Sequence, residues 1–242
     1  MSPRRRWSVF ALVPILVLVC APPLLAQEGE VHSKTLMELF EATGMVGWLM
    51  VVCSVVGTTL TIEHVINLRR DKLAPEDMAE ELKALIDEEA YDDALALCEE
   101  QPNFLSNVVS AALQMRHASH EDMVGGLEAA AASETLKLNT KISYLSLIGN
   151  IAPLLGLLGT VTGMISSFQV IETLKAPTPR DLAVGVYESL VNTTMGLFLA
   201  LVFLSVYFIF KNFVSKTSLS INLQAVDMIK HLAGSEKVGA SK

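Results

Sequence analysis

The residues of this chain best suited to chemistry are polar groups set inside long apolar runs. Asn150, Pro153, Gly156, Thr160, Gly163 and Ser167 follow at steps of three and four, which places them on one helix face. Gly185, Glu188, Asn192 and Gly196 repeat the pattern later, with Ser189, Thr193 and Thr194 beside them. A charge deep in lipid costs at least ~2.5 kcal/mol, so an acid there marks an ion or substrate path by default. Hydroxyls, an amide and a carboxyl in a row suit the passage of protons or ions through water or a partner helix. Glu188 follows a short loop, and its place in the chain fits either the outer interface or the first turn of a span. The glycines have a plainer use, because small residues let helices approach, and Gly159-x-x-x-Gly163 is a close-contact pattern. Thr160 by itself says little, since a threonine hydroxyl readily bonds its own helix carbonyl.

Other chemistry is poorly represented. The chain contains no Walker loop, nucleotide-binding glycine pattern, nucleophile elbow or zinc motif. His117 and His120 lack a third ligand nearby, and a helix cap accounts for their segment. Cys20, Cys53 and Cys98 have neither disulfide nor metal-ligand spacing. A formal net charge of −8 gives no basic surface for nucleic acid. These observations predict a protein that is not an enzyme and needs no cofactor or metal.

The elements that must position the polar residues are membrane helices. Of 242 residues, 51% are hydrophobic and 18% charged, with mean hydropathy +0.44. Met45 to Ile62 holds 18 uncharged residues, Ile142 to Ile171 holds 30, and Ser189 to Phe210 holds 22. About 20 residues span a bilayer, so the second helix should tilt or protrude. Backbone groups in hydrocarbon must bond internally, which makes all three helical. Arg69, Arg70, Lys72, Lys137, Lys141, Lys211 and Lys216 flank the spans on one side, which marks it as the inner side. The N-terminus is then outside and the C-terminus inside. Arg4 to Arg6, an apolar run and Pro22-Pro23 read as a secretory signal ending after Ala26.

The expected organisation is a signal peptide over 1–26 and a periplasmic segment over 27–44. A first span over 45–66 leads into a cytoplasmic helical domain over 67–141. A second span over 142–171, a periplasmic loop over 172–183, a third span over 184–210 and a cytoplasmic tail over 211–242 follow. Within the domain, Pro75 suits a first helical position, with Glu76 and Asp77 favoured by the helix dipole. Further helices are predicted over Tyr91–Glu100 and from Phe104 to about Arg116. Ser119-His-Glu-Asp122 forms a capping box for a helix that runs on into the second span. Eleven acids against Lys83 alone in residues 75–101 read as a solvated face, and Cys98 as a small buried residue.

Ala152-Pro-Leu-Leu-Gly-Leu-Leu-Gly-Thr-Val-Thr-Gly163, followed by Ser166-Ser-Phe168, resembles the second transmembrane helix of the MotA/TolQ/ExbB proton-channel family. Glu188-Ser-Leu-Val-Asn-Thr-Thr-Met-Gly-Leu197 is similar to its third helix. The likeness extends from about Met45 to His231 and is most like ExbB. It implies an all-α membrane protein with three transmembrane helices, a helical cytoplasmic domain and long helices extending into the cytoplasm. It also implies an inner-membrane proton-channel subunit, with Thr160, Glu188 and Thr193 at the proton-pathway positions. Asn150, Pro153, Gly156, Gly159, Gly163, Asn192, Thr194 and Gly196 would line or pack that pathway. The implied assembly is a homopentamer around a single-span ExbD/TolR-like partner, which supplies an aspartate and energises a TonB-like or Tol system. Val202 stands where ExbB-like chains carry a proline, and Asn192 and Thr194 replace small apolar residues. The alternatives are a non-conducting scaffold joined through the polar and glycine faces, or a flagellar-stator subunit like MotA.

Overall fold

Long apolar runs leave the backbone only one way to satisfy its hydrogen bonds in hydrocarbon, and helices follow from them. The computed structural model describes residues 44–174 and 178–239, apart from the side chains at 180, 181, 184 and from 231 onward. The expected signal peptide, nearly all of the segment over 27–44, and loop positions 175–177 lie outside the described residues. Helix α1 runs Gly44–Asn67, α2 Arg70–Leu73, α3 Glu76–Asp87 and α4 Tyr91–Glu100. Helix α5 runs Phe104–Gln114, α6 His120–Thr173 and α7 Pro179–Gly239. Every regular element among the described residues is a helix. Three stretches, Gly44–Asn67, His120–Thr173 and Gly185–Lys230, are long and apolar enough to cross a membrane. The chain is an all-α membrane protein.

The chain divides into two compact units. One combines Met1–Glu63, as far as it is described, with Ser143–Phe208; the other combines His64–Ile142 with Ile209–Lys242. In the first, α1 meets α7 where the Phe203 ring lies directly over Gly57. Val46 and Met50 are buried there, while Trp48, Val52, Val55, Leu154, Leu157, Val161 and Ile165 stay uncovered. Apolar side chains exposed along whole helices are stable facing lipid and unfavourable facing water.

The second unit is a small helical domain with its own core. Leu82, Leu105, Val108, Val109, Leu113 and Leu127 are fully buried, together with Ile221 and Ile229 of α7. Helix α3 begins one residue later than expected, with Pro75 in extended geometry at the cap rather than inside the helix. Pro102 follows α4 and forbids its continuation. Helix α5 stops two residues short of Arg116, because the Met115 amide turns to the Ala112 and Leu113 carbonyls. Its start is a capping box of Asn103 and Ser106, each side chain bonded to the other's amide, at 2.7 and 3.0 Å. The box expected at Ser119 also forms: the Asp122 amide donates to Ser119 Oγ and the Ser119 amide to Asp122 Oδ2, each at 3.2 Å. From there α6 runs without interruption into the second apolar stretch, through Pro153.

Cys98 is buried, and burial first, then the nearby Glu99 carboxylate, pushes its thiol up to about 11. A thiol held protonated in this way is a packing residue. An ion pair at 3.0 Å between Arg116 and the exposed Asp92 ties the end of α5 to the start of α4. Leu105 has no exposed surface. Leu105→Ala should therefore cost about 2–5 kcal/mol, read from denaturant unfolding of the purified chain.

Candidate functional site

The polar stripes of the second and third spans meet in one seam, within the first unit. The α6 face that packs on α7 carries Gly149, Ala152, Gly156, Gly159, Gly163 and Ser167; α7 answers with Gly185, Ser189, Asn192, Thr193 and Gly196. At one end the two helices exchange small residues reciprocally. Ser189 Oγ occupies the space a Cβ would need on Gly163, and Ser167 Oγ does the same at Gly185. At the other end the contact is backbone on backbone. A Cβ on Gly196 would stand 2.6 Å from the Ala152 carbonyl oxygen and 3.0 Å from Gly156 Cα. The small-residue pattern is therefore spent on helix contact inside one chain, as close approach in a bilayer requires.

Hydroxyls bind the seam to carbonyls. Thr193 Oγ1 donates across it to the Gly156 carbonyl at 3.2 Å, and Ser189 Oγ reaches the Thr160 carbonyl at 3.4 Å. Ser189 Oγ also donates to Gly185 at 2.7 Å, and Ser167 Oγ to Gly163 at 2.8 Å. Bonds of this kind spare a polar side chain the penalty of hydrocarbon by borrowing lone pairs the helix leaves free.

The stripes read from sequence split in two. Asn150, Pro153 and Thr160 lie one residue further round α6 than the glycines, and they flank the seam instead of entering it. Asn150 Nδ2 donates to the Ser146 carbonyl at 2.7 Å, and Thr160 Oγ1 donates to the Leu157 carbonyl at 2.6 Å. Thr194 is exposed and bonds Leu190 on its own helix at 2.9 Å. Glu188 is half-buried on the flank of α7, one turn before Asn192. Thus Thr193 faces the neighbouring helix, while Thr160 and Glu188 lie beside the seam. Ser167 and Ser189 are almost wholly buried (4% and 2% exposed) and hold the seam together; spacing put Ser167 on the α6 stripe but set Ser189 only beside that of α7. Their four-residue steps from Gly163 and Gly185 are the signal that identifies them. Helix α7 continues through Val202. Among the described residues no three His, Cys, Asp or Glu side chains gather as metal ligands.

Helices exposed to lipid on one side and joined by a polar, glycine-lined seam on the other define a multi-span membrane protein of the channel or helix-scaffold class. The sequence profile of the MotA/TolQ/ExbB proton channel family matches residues 100–222, about half of the chain. The chain is similar to a putative biopolymer transport protein ExbB homolog of Methanothermobacter thermautotrophicus, 23% identical over 174 residues, covering 72% of this chain and 62% of that one. The Tol-Pal system protein TolQ of Pseudomonas aeruginosa is 33% identical over 81 residues, covering 34% and 35%. The biopolymer transport protein ExbB of Xanthomonas campestris is 27% identical over 219 residues, covering 81% and 84%. The alignments thus reach less than two thirds of the first two relatives' lengths. The chain belongs to the MotA/TolQ/ExbB proton channel family.

Proposed function

We propose that this chain is the proton-conducting subunit of an inner-membrane motor of the ExbB/TolQ kind. The carrying observation is Glu188, a half-buried carboxyl on a helix otherwise apolar enough to cross a bilayer. Glu188 would take up and release protons, and the Thr160 and Thr193 hydroxyls would orient water or a partner's carboxylate along the path. A single-span partner of the ExbD/TolR type would sit against a ring of identical subunits, five by family resemblance, and contribute the aspartate of the relay. Each proton crossing releases about 2.3 kcal/mol per 100 mV, so several must be coupled to move a protein. The energised process would be transport or outer-membrane maintenance, through a TonB-like or Tol-system protein.

Seven flanking cations, from Arg69 to Lys216, support an inner side that holds the helical domain and the C-terminus. The periplasmic N-terminus would follow removal of the signal over 1–26. The relay is tested by proton flux in vesicles containing this chain and its single-span partner. The variant combining Thr160→Ala, Glu188→Gln and Thr193→Ala should lose most of the flux that depends on the partner. Flux equal to that of the unaltered chain would remove the assigned roles.

A further inference from the structure

Asn192 is 4% exposed, and its Oδ1 meets no donor among the described residues. Its amide is laid over the facing helix at Gly159. A Cβ on that glycine would stand 2.7 Å from Asn192 Cβ and 2.9 Å from both Cγ and Nδ2. The hydroxyls that α7 brings to the seam beside it are already committed, Ser189 to the Gly185 carbonyl and Thr193 to the Gly156 carbonyl. A hydroxyl has one proton to give, so neither supplies Asn192 while those bonds hold, yet each keeps lone pairs able to accept. A carbonyl dipole stranded at membrane depth is heavily penalised. The missing partner must therefore donate to Oδ1, and a second proton on the same molecule would find a hydroxyl oxygen waiting. Water has that shape, two donors on one small atom, and buried waters typically satisfy such otherwise unpaired groups.

We propose that Asn192 holds a buried water in the seam between α6 and α7. The water donates to Asn192 Oδ1 and to the hydroxyl oxygen of Ser189 or Thr193, joining the polar groups of the two helices. This deepens the conduction reading, on which it rests for its use, because the site lies beside Thr193 and one turn from Glu188. Occupancy itself needs neither conduction nor a partner.

Water-edited solid-state NMR on the full chain in lipid vesicles, without partner or proton gradient, tests it. Magnetisation from water should reach the Asn192 side chain nearly as fast as that of exposed Asn107, and several-fold faster than the fully buried Ala152 methyl. In Asn192→Leu, water transfer to Ser189 and Thr193 should fall to the Ala152 level while the Gly196 and Ala152 resonances stay in place. Transfer to Asn192 as slow as to Ala152 would overturn the proposal, and so would undiminished transfer to Thr193 in Asn192→Leu. If that variant does not fold, the unaltered chain decides alone. A wet seam in a chain that conducts no protons would leave the water site standing and remove the conduction reading.

Discussion

Gly196→Val should pull the second and third spans apart and destabilise the membrane unit by about 3 kcal/mol. The new Cβ would meet the Ala152 carbonyl oxygen at 2.6 Å and the Gly156 Cα and N at 3.0 and 3.2 Å. These are backbone atoms of a continuous helix, so no rotamer change makes room, and the helices must separate along a length that includes the Thr193 bond to Gly156. Thermal unfolding in detergent reads the effect. Gly125→Ala supplies the contrast, since a Cβ there meets nothing within 4 Å and Gly125 lies within α6. That change should raise stability by up to about 1 kcal/mol through helix propensity alone. If Gly196→Val melted like the unaltered chain, the backbone contact would not hold the seam.

The second large effect is expected at Glu188. Glu188→Gln keeps the size and polarity of the side chain but replaces the acid–base carboxyl with an amide that carries no charge. With a single-span protein of the proposed partner type present in vesicles, it should abolish most of the proton flux. The assembly should keep its size in detergent, because Glu188 lies on the flank of the seam and not in its packed face. A scaffold whose polar faces only join helices predicts the reverse, altered assembly with no flux to lose. Thr193 sharpens the comparison, because its hydroxyl spans the seam to the Gly156 carbonyl at 3.2 Å. Thr193→Ser retains that donor and should retain flux. Thr193→Val deletes a bond worth about 1 kcal/mol and should reduce both flux and stability.

The helical domain illustrates how local rules and packing divide the work. The Ser119–Asp122 box was legible because a serine followed three residues later by an acid is a strong start signal, and both bonds form. The Asn103–Ser106 box escaped notice because its reciprocal partner is a serine instead of Glu or Gln, so its pattern is weaker. Helix α2, four residues from Arg70 to Leu73, has no periodicity to read. It forms where the chain turns and Leu73 finds the core.

Composition and spacing alone determined the class of this protein: uncharged runs long enough to cross a bilayer must be helices, and the helices between them follow from caps, prolines and apolar periodicity. The residues of its polar stripes were likewise visible, as was their resemblance to a proton-channel family. Only the tertiary structure decided which residues enter the seam. Successive helical positions lie 100° apart, so Gly159 and Thr160, or Glu188 and Ser189, belong to equally plausible stripes until a neighbouring helix selects one. Close approach selects the residues without bulk, which sends the glycines and serines inward and leaves Thr160 and Glu188 beside them. Within the seam, Asn192 is carried inward with its side-chain carbonyl oxygen unpaired among the described residues, a fact that no spacing rule contains.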